Sequence, residues 1–141
     1  MAEELKCLSP KPIISIAAPL AVDSNSYTYS SPDLAYNQIV EHLKNKHGRT
    51  KIAFFSGELN GSPDSELRFN AYKKALKANG LKFDKSLVFP GDFTPECTHT
   101  YIRTHYNKKE DVPFDALLCA NDYMAVGATG AFEFKSQKMY A

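Results

Sequence analysis

One stretch of the sequence, residues 114–128, constrains the fold more than any other. It opens with a largely apolar run, residues 114–119, that is short enough to form one buried strand. It then passes through two small polar residues, Asn121 and Asp122, into a segment with helically spaced apolar residues: Met124, Ala128, Ala131 and Phe132. A buried strand that leads directly into a helix is the repeating unit of an open α/β sheet.

Asn121 and Asp122 fall where such a sheet binds its ligands. Ligands of open α/β sheets sit just beyond the carboxyl ends of the strands, and the first amides of the following helix are unpaired there. Asn and Asp are also favoured as helix caps. The spacing alone therefore leaves two interpretations of Asn121 open, a helix cap and a ligand contact.

Strand-like and helix-like segments alternate along the chain. Apolar runs predict strands at residues 12–17, 51–55, 86–89 and 114–119. Helical patterns follow them at residues 32–46, 63–79, 95–107 and from 122 onward. This order predicts the α/β class, as an open parallel sheet with right-handed crossovers and helices on both faces. Three strand exits, at residues 56–57, 90–93 and 121–122, should then lie along one edge of the sheet.

Two of the predicted helices begin with the same sequence, Ser-Pro-Asp, at residues 31–33 and 62–64. Serine can cap a helix, proline fits its first position, and aspartate complements its dipole. A glycine follows each predicted end, at Gly48 and Gly80. The apolar residues of the first helix predict a buried face of Leu34, Ala35, Ile39, Val40 and Leu43. Those of the second predict a buried face of Leu67, Ala71, Tyr72, Ala75 and Leu76.

Residues 18–31 are polar and turn-like, and they contain two tyrosines, Tyr27 and Tyr29. The tyrosines fit either the wall of a binding site or a short, half-buried strand, and the pattern favours the strand. The segment between Gly48 and Lys51 is a candidate boundary, at which the chain would cross from one lobe to another.

Charge and composition exclude several classes of function. The 17 basic and 16 acidic residues are well mixed and leave a net charge of +1, so no basic block indicates contact with nucleic acid. No apolar run approaches the length of a membrane span, and residues 1–10 lack the apolar core of a secretion signal. Three widely spaced cysteines favour a reducing compartment, and we expect a cytoplasmic protein.

No sequence pattern indicates an enzyme, a cofactor or a metal. A nucleophilic serine motif, a Walker loop and a GxGxxG fingerprint are all missing from the sequence. Cys97 and His99 form a Cys-x-His pair, but two further ligands at usable spacing are lacking. A phospho-acceptor receiver domain would need clustered acids after the first strand, and residues 13–20 contain none.

Four separated motifs occur in the order and spacing of a known family. They are Lys51-Ile52-Ala53-Phe54-Phe55-Ser56-Gly57, Arg68-Phe69-Asn70-Ala71-Tyr72 with Ala75-Leu76, Gly91-Asp92-Phe93, and Ala120-Asn121-Asp122-Tyr123-Met124-Ala125-Val126-Gly127-Ala128. From residue 12 to about 133, the chain resembles the effector-binding domain of LacI/GalR-type transcription regulators, which has the type I periplasmic binding protein fold. The Ala-Phe-Phe strand and His47-Gly48 look most like the copies that serve as sensory modules in signalling proteins.

This resemblance implies a site for a small-molecule effector of the sugar or nucleoside class, in a cleft between two lobes. Arg68 matches the arginine that hydrogen-bonds ligand hydroxyls or carboxylates. Phe93 matches the aromatic residue that packs against a ligand ring, and Asn121 matches the amide that binds ligand oxygens. Residues 1–48 would be a remnant of the amino-terminal lobe, and residues 49–141 part of the carboxyl-terminal lobe.

The chain also departs from the family pattern. Ser31-Pro32 replaces the usual Asp-Asn, Arg49 replaces a histidine, and the match decays after Phe132. The later strands and any DNA-binding helix-turn-helix are missing, so the resemblance implies an incomplete type I fold without direct nucleic-acid contact. An unpaired sheet edge predicts self-association as a homodimer. The alternative function is a degenerate structural or dimerisation module that no longer binds a ligand.

Overall fold

The structure is a computed structural model that describes residues 14–16, 26–28, 31–59, 62–106 and 108–138. Five strands are present in this part of the chain: β1 (Ile14–Ile16), β2 (Ser26–Thr28), β3 (Ile52–Phe55), β4 (Val88–Phe89) and β5 (Ala116–Cys119). Four α-helices follow β2, β3, β4 and β5 in turn: α1 (Asp33–His47), α2 (Pro63–Ala78), α3 (Pro95–His105) and α4 (Asp122–Lys138). The chain divides into two compact units at Ser31 and Pro32.

The first unit contains β1 and β2, which pair in parallel with Ile14 opposite Ser26 and Ile16 opposite Thr28. The first predicted strand is therefore present as β1. Tyr27 lies in β2, as the favoured interpretation of this segment requires, whereas Tyr29 lies outside the described residues.

The second unit is built on a three-stranded parallel sheet with the order β4-β3-β5. Ile52 of β3 lies opposite Ala116 of β5, and Phe54 lies opposite Val88 of β4. All three strands run in the same direction, so their carboxyl ends meet at one edge. The predicted open parallel sheet, with three strand exits along one edge, is confirmed.

Successive residues of β3 point to opposite faces of the sheet and carry the core on both sides. Phe54 stacks on Tyr72 of α2 at 4.7 Å between ring centroids and meets Tyr36 of α1 edge-on at 6.1 Å. Phe55 meets Tyr101 of α3 edge-on at 5.2 Å. Helices α1 and α2 therefore cover one face, and α3 and α4 belong to the other, as predicted.

The two Ser-Pro-Asp sequences do not start their helices in the same way. Ser62 caps α2, since its hydroxyl accepts a hydrogen bond from the backbone amide of Ser65. At α1 the cap position is Pro32, and no side chain caps the helix. The predicted cap at Ser31 is therefore wrong, because α1 begins one residue later than the sequence pattern indicates.

The predicted buried faces of α1 and α2 are partly wrong. Leu34 is 68% exposed, and Ile39 and Leu67 are each 41% exposed. Ala35 is exposed as well, whereas Val40 is buried as predicted and Leu43 is half-buried. The other buried residue of α1 is Tyr36, which the pattern did not assign to this face and which packs against the aromatic ring of Phe54. In α2 the predicted Ala71, Tyr72, Ala75 and Leu76 are buried, and Ser65 is buried with them.

Helix α4 buries the face that its spacing predicts: Met124, Ala128 and Ala131 are buried, and Phe132 is half-buried. It packs closely on α3 at Gly127. A Cβ atom at Gly127 would overlap the carbonyl oxygen of Pro95 and lie 2.5 Å from Thr98 Oγ1. The close approach of these helices therefore requires glycine at this position.

The helix α1 lies in the second compact unit, together with residues 49–138. From the resemblance, this helix was predicted to belong to a remnant of the amino-terminal lobe, at residues 1–48. The assignment of the two lobes stays a prediction. No helix in the described part of the chain is both long and apolar enough to cross a membrane.

Candidate functional site

The three residues singled out by sequence lie together at the carboxyl edge of the sheet. Arg68 projects from the first half of α2, Phe93 lies in the loop after β4, and Asn121 lies between β5 and α4. The guanidinium carbon of Arg68 is 6.0 Å from the centroid of the Phe93 ring. The side-chain amide of Asn121 donates a hydrogen bond to the Phe93 carbonyl at 3.0 Å. The parallel sheet explains this convergence, because each residue follows or flanks a strand exit.

Arg68 is held by contacts on two sides. Its Nε lies 2.8 Å from Asp64 Oδ2, one helical turn earlier on α2. Its Nη1 donates to the carbonyl oxygen of Ala120, at the end of β5. These contacts use two of the five N–H donors of the guanidinium. They also place an overall neutral ion pair, rather than an isolated cation, at the edge of the site.

Phe93 has an uncommon backbone conformation. Its φ of 68° is the only positive φ among the non-glycine residues that the structure describes. The turn before it is built by Asp92, whose Oδ1 accepts hydrogen bonds from the Thr94 amide at 2.9 Å and the Thr94 hydroxyl at 2.6 Å. Through this Asx turn, Asp92 shapes the loop that carries Phe93. The side-chain hydrogen bond from Thr94 is the main reason that the pKa of Asp92 is lowered.

Asn121 uses both ends of its carboxamide within the fold. Its Oδ1 accepts the Met124 amide at 2.9 Å, which caps α4, and its Nδ2 binds the Phe93 carbonyl. Of the two interpretations left open by the sequence, the helix cap is therefore present. The same side chain also ties the Phe93 loop to the end of β5. A ligand contact of Asn121 stays a prediction.

Three further residues belong to the site, and the sequence analysis gave them no role there. Asp64 is the ion-pair partner of Arg68, and the i,i+4 spacing on one helix was a signal for it. Gly57 lies under Phe93, where a Cβ atom would overlap the ring. Ser65 is fully buried, and its hydroxyl also meets Gly57. No local sequence pattern identifies Gly57 or Ser65 as site residues, because their place in the site depends on the position of the Phe93 loop.

A cleft of about 480 Å³ opens beside this edge of the sheet. It is lined by residues that follow β3 and β4, among them Ser56, Gly57, Pro90 and Gly91, and by Phe69 and Lys85. Arg68, Phe93 and Asn121 do not line it. The three residues therefore form a surface that is distinct from this cleft, although Gly57 borders both.

The described residues offer no metal site and no activated thiol. No group of three or more His, Cys, Asp or Glu side chains in this part of the chain is arranged to hold a metal ion. Burial raises the pKa of the Cys97 thiol, and it raises the pKa of Cys119 to about 12. Both thiols are thus protonated at neutral pH, which is the opposite of what a nucleophilic cysteine requires.

Comparison with known proteins identifies the family to which the chain belongs. The family described as "Periplasmic binding protein-like domain" matches residues 40–136. The chain is 32% identical over 102 residues to the HTH-type transcriptional repressor PurR of Haemophilus influenzae, covering 70% of this chain and 30% of the repressor. It is 30% identical over 108 residues to the HTH-type transcriptional regulator AscG of Escherichia coli, covering 77% of this chain and 31% of the regulator.

A solved structure agrees with these relatives. The chain superposes with a TM-score of 0.70, at 26% identity, on a LacI-family sugar-binding transcriptional regulator of Escherichia coli that was crystallised with phosphate. The match covers 96% of this chain and 49% of that one. The chain thus spans about half the length of this structure and under a third of the curated relatives. We conclude that the chain belongs to the periplasmic binding protein-like domain family and matches part of the effector-binding domain of LacI-type regulators.

Proposed function

We propose that the chain binds a small-molecule effector, of the sugar or nucleoside class, through Arg68, Phe93 and Asn121. The protein that carries it would be a LacI-type transcription regulator or a related signalling protein. The observation that carries the proposal is the convergence of these three side chains at the carboxyl edge of one parallel sheet. Relatives named as transcriptional regulators, and the sugar-binding regulator that holds phosphate, support it.

Each side chain has a chemical role in this proposal. Arg68 has three N–H donors beyond the two used by Asp64 and Ala120, and these suit ligand oxygens. The half-buried Phe93 offers a ring against which the apolar face of a sugar or a base packs. Asn121 has a second amide hydrogen besides the one given to Phe93.

The wider architecture in this proposal follows the sequence predictions. The second wall of the site would come from another lobe, and closure of two lobes around a ligand is a recognised switching movement. The division into lobes at residue 48, the homodimer and the cytoplasmic location all stay predictions. Sedimentation velocity across a range of protein concentrations would test the homodimer.

A thermal-shift screen tests the proposal directly. The panel contains D-ribose, D-glucose, sucrose, adenosine, guanosine and inorganic phosphate. A ligand that binds only the folded state stabilises it by about 2.7 kcal/mol at a hundredfold excess over its Kd. We expect at least one sugar or nucleoside to raise the melting temperature. Arg68→Ala should then weaken binding roughly 10- to 100-fold, because hydrogen bonds to a charged group contribute about 1.5–3 kcal/mol.

Arg49→Ala is the matched control, because Arg49 is exposed and precedes β3 at the opposite edge of the sheet. It should leave binding unchanged. If no compound shifts the melting temperature of a monodisperse sample, the alternative of a structural or dimerisation module is favoured. If a compound binds equally well to Arg68→Ala and Phe93→Ala, the ligand site lies elsewhere.

A further inference from the structure

Ser65 carries a hydroxyl group that the fold leaves without a partner. The residue lies in the first turn of α2 and is 0% exposed. Ser65 Oγ is the one buried side-chain N or O atom, among the described residues, that makes no hydrogen bond. An unsatisfied buried hydroxyl costs on the order of 1–3 kcal/mol. A group with this cost invites a functional explanation.

The position of this hydroxyl points to the candidate site. Ser65 Oγ lies 2.5 Å from the point that a Cβ atom at Gly57 would occupy, and the edge of the Phe93 ring reaches the same point. The hydroxyl, the glycine and the ring therefore meet at the carboxyl end of β3. The same ring also lies near Arg68, whose guanidinium carbon is 6.0 Å from the ring centroid.

Access to Ser65 from the candidate site would require the Phe93 ring to move. The backbone of Phe93 is held by the bond from Asn121 to its carbonyl and by the Asp92 turn before it. The side chain is half-buried, and rotation about its χ1 moves the ring between staggered positions. Such a change of rotamer would move the ring without altering the loop backbone.

We propose that Ser65 is a ligand-binding residue, gated by the Phe93 ring, and that it donates a hydrogen bond to a hydroxyl oxygen of a sugar or ribose group. This inference rests on the proposed effector function and narrows its ligand class. Asp64, paired with Arg68 at 2.8 Å, explains the preference. Its carboxylate accepts hydrogen bonds from ligand hydroxyls and neutralises the charge of Arg68, so the site lacks the net positive charge that would favour a phosphate and suits neutral polyhydroxyl groups.

The experiment combines Ser65→Ala with two controls and two measurements. In the free protein, Ser65→Ala removes an unsatisfied polar group, so its melting temperature should rise. Asn70→Ala, at an exposed position of the same helix, corrects for the gain in helix propensity, and the rise for Ser65→Ala should exceed it. Ser56→Ala removes a buried hydroxyl that donates a hydrogen bond to the Phe89 carbonyl at 3.2 Å, so this substitution should lower the melting temperature.

Binding is then measured by calorimetry with D-ribose, sucrose, adenosine and inorganic phosphate. Ser65→Ala should weaken the hydroxyl-bearing probes about 2- to 12-fold, the equivalent of one neutral hydrogen bond. Phosphate alone should bind neither protein. In protein labelled with 4-fluorophenylalanine, the resonance that disappears in Phe93→Leu should shift when the probe binds.

Results that contradict the role of Ser65 can be distinguished from results that contradict the effector function. A fall in the melting temperature of Ser65→Ala, like that of Ser56→Ala, would show that the hydroxyl already has a partner and would overturn the inference. Unchanged probe binding by Ser65→Ala, or tight binding of phosphate alone, would overturn it while leaving the effector function standing. Failure of every probe to bind the unaltered protein would overturn the effector function and this inference together.

Discussion

At the scale of single residues, the site combines strain with incomplete hydrogen bonding around Phe93. An L-residue with a positive φ is less stable by roughly 1–2 kcal/mol than one in the usual region. This residue is kept there by Asn121 and by the turn at Asp92. The unpartnered hydroxyl of Ser65 lies beneath its ring. Proteins tolerate such costs where the geometry serves a function.

The strain predicts an unusual order of stability for two substitutions of Phe93. Phe93→Gly and Phe93→Ala both lose the ring, but glycine adopts a positive φ without penalty. We expect Phe93→Gly to be more stable than Phe93→Ala by about 1 kcal/mol. Urea denaturation of the two variants measures this difference.

Phe83 is the matched position, since its φ is not positive and its ring packs against Phe69 and Tyr72. There the order should reverse, with Phe83→Ala more stable than Phe83→Gly, because glycine gains conformational entropy on unfolding. An alanine variant at Phe93 that equals or exceeds the glycine variant would show that the backbone is not strained.

The family resemblance singled out Arg68, Phe93 and Asn121, and the structure brings the three residues together. They lie close because parallel strands place their exits at one edge of the sheet. Their role as ligand contacts stays a prediction. The sequence alone assigned no role in the site to Ser65 or Gly57. Their environment is created by a ring from a loop about 30 residues away, and no local pattern records that contact.

At the scale of elements, the pair α3 and α4 depends on one glycine. Gly127→Ala would place a methyl group against the Pro95 carbonyl, which is backbone and cannot rotate away. We expect a loss of about 1–3 kcal/mol in the free energy of unfolding, as for other overpacked contacts. Chemical denaturation followed by circular dichroism measures it.

Gly130, in the same helix, has nothing within 4 Å of its virtual Cβ atom. Gly130→Ala should therefore be neutral or stabilising by up to about 1 kcal/mol, because alanine favours the helix. Equal effects of the two substitutions would mean that the close contact between α3 and α4 is not present in solution.

The helix boundaries were easier to predict from sequence than the helix faces. Ser62 and Gly48 act locally, so their capping roles were recognisable. The buried face of α1 instead contains Tyr36, which packs against Phe54, whereas Leu34 and Ile39 are exposed although the apolar pattern assigned them to that face. The burial of this face depends on contacts with the sheet, which the spacing within the helix does not record.

At the scale of the whole molecule, the core is rich in buried groups that lose a proton only at high pH. Burial raises the pKa of Tyr36 and Tyr72 to about 12, and Cys119 to about 12 as well. In the unfolded chain these groups titrate near 10 for tyrosine and 8.5 for cysteine. Above those values the unfolded state binds fewer protons than the folded state.

Stability should therefore fall as the pH rises from about 9 to about 12, and it should be nearly level below pH 8 with respect to these groups. Each fully buried tyrosine contributes a loss of about 1.4 kcal/mol per pH unit above 10. Urea denaturation at pH 8, 10 and 11 tests the slope, and absorbance at 295 nm reports the phenolates. Tyr72→Phe should flatten the slope, although it also loses the hydrogen bond to the Ile52 carbonyl. A Tyr72→Phe slope equal to that of the parent would contradict the raised pKa of Tyr72.

The sequence by itself determined the strand and helix order, the parallel sheet and the edge at which the strand exits meet. These features follow from hydrophobic spacing, caps and chain direction, which are local or nearly local properties. Only the tertiary structure decided which faces of α1 and α2 are buried, how Asp64 pairs with Arg68, and that the Phe93 ring and the Ser65 hydroxyl meet at Gly57. Those features arise from contacts between distant segments, whose outcome depends on the packing of neighbouring side chains in three dimensions.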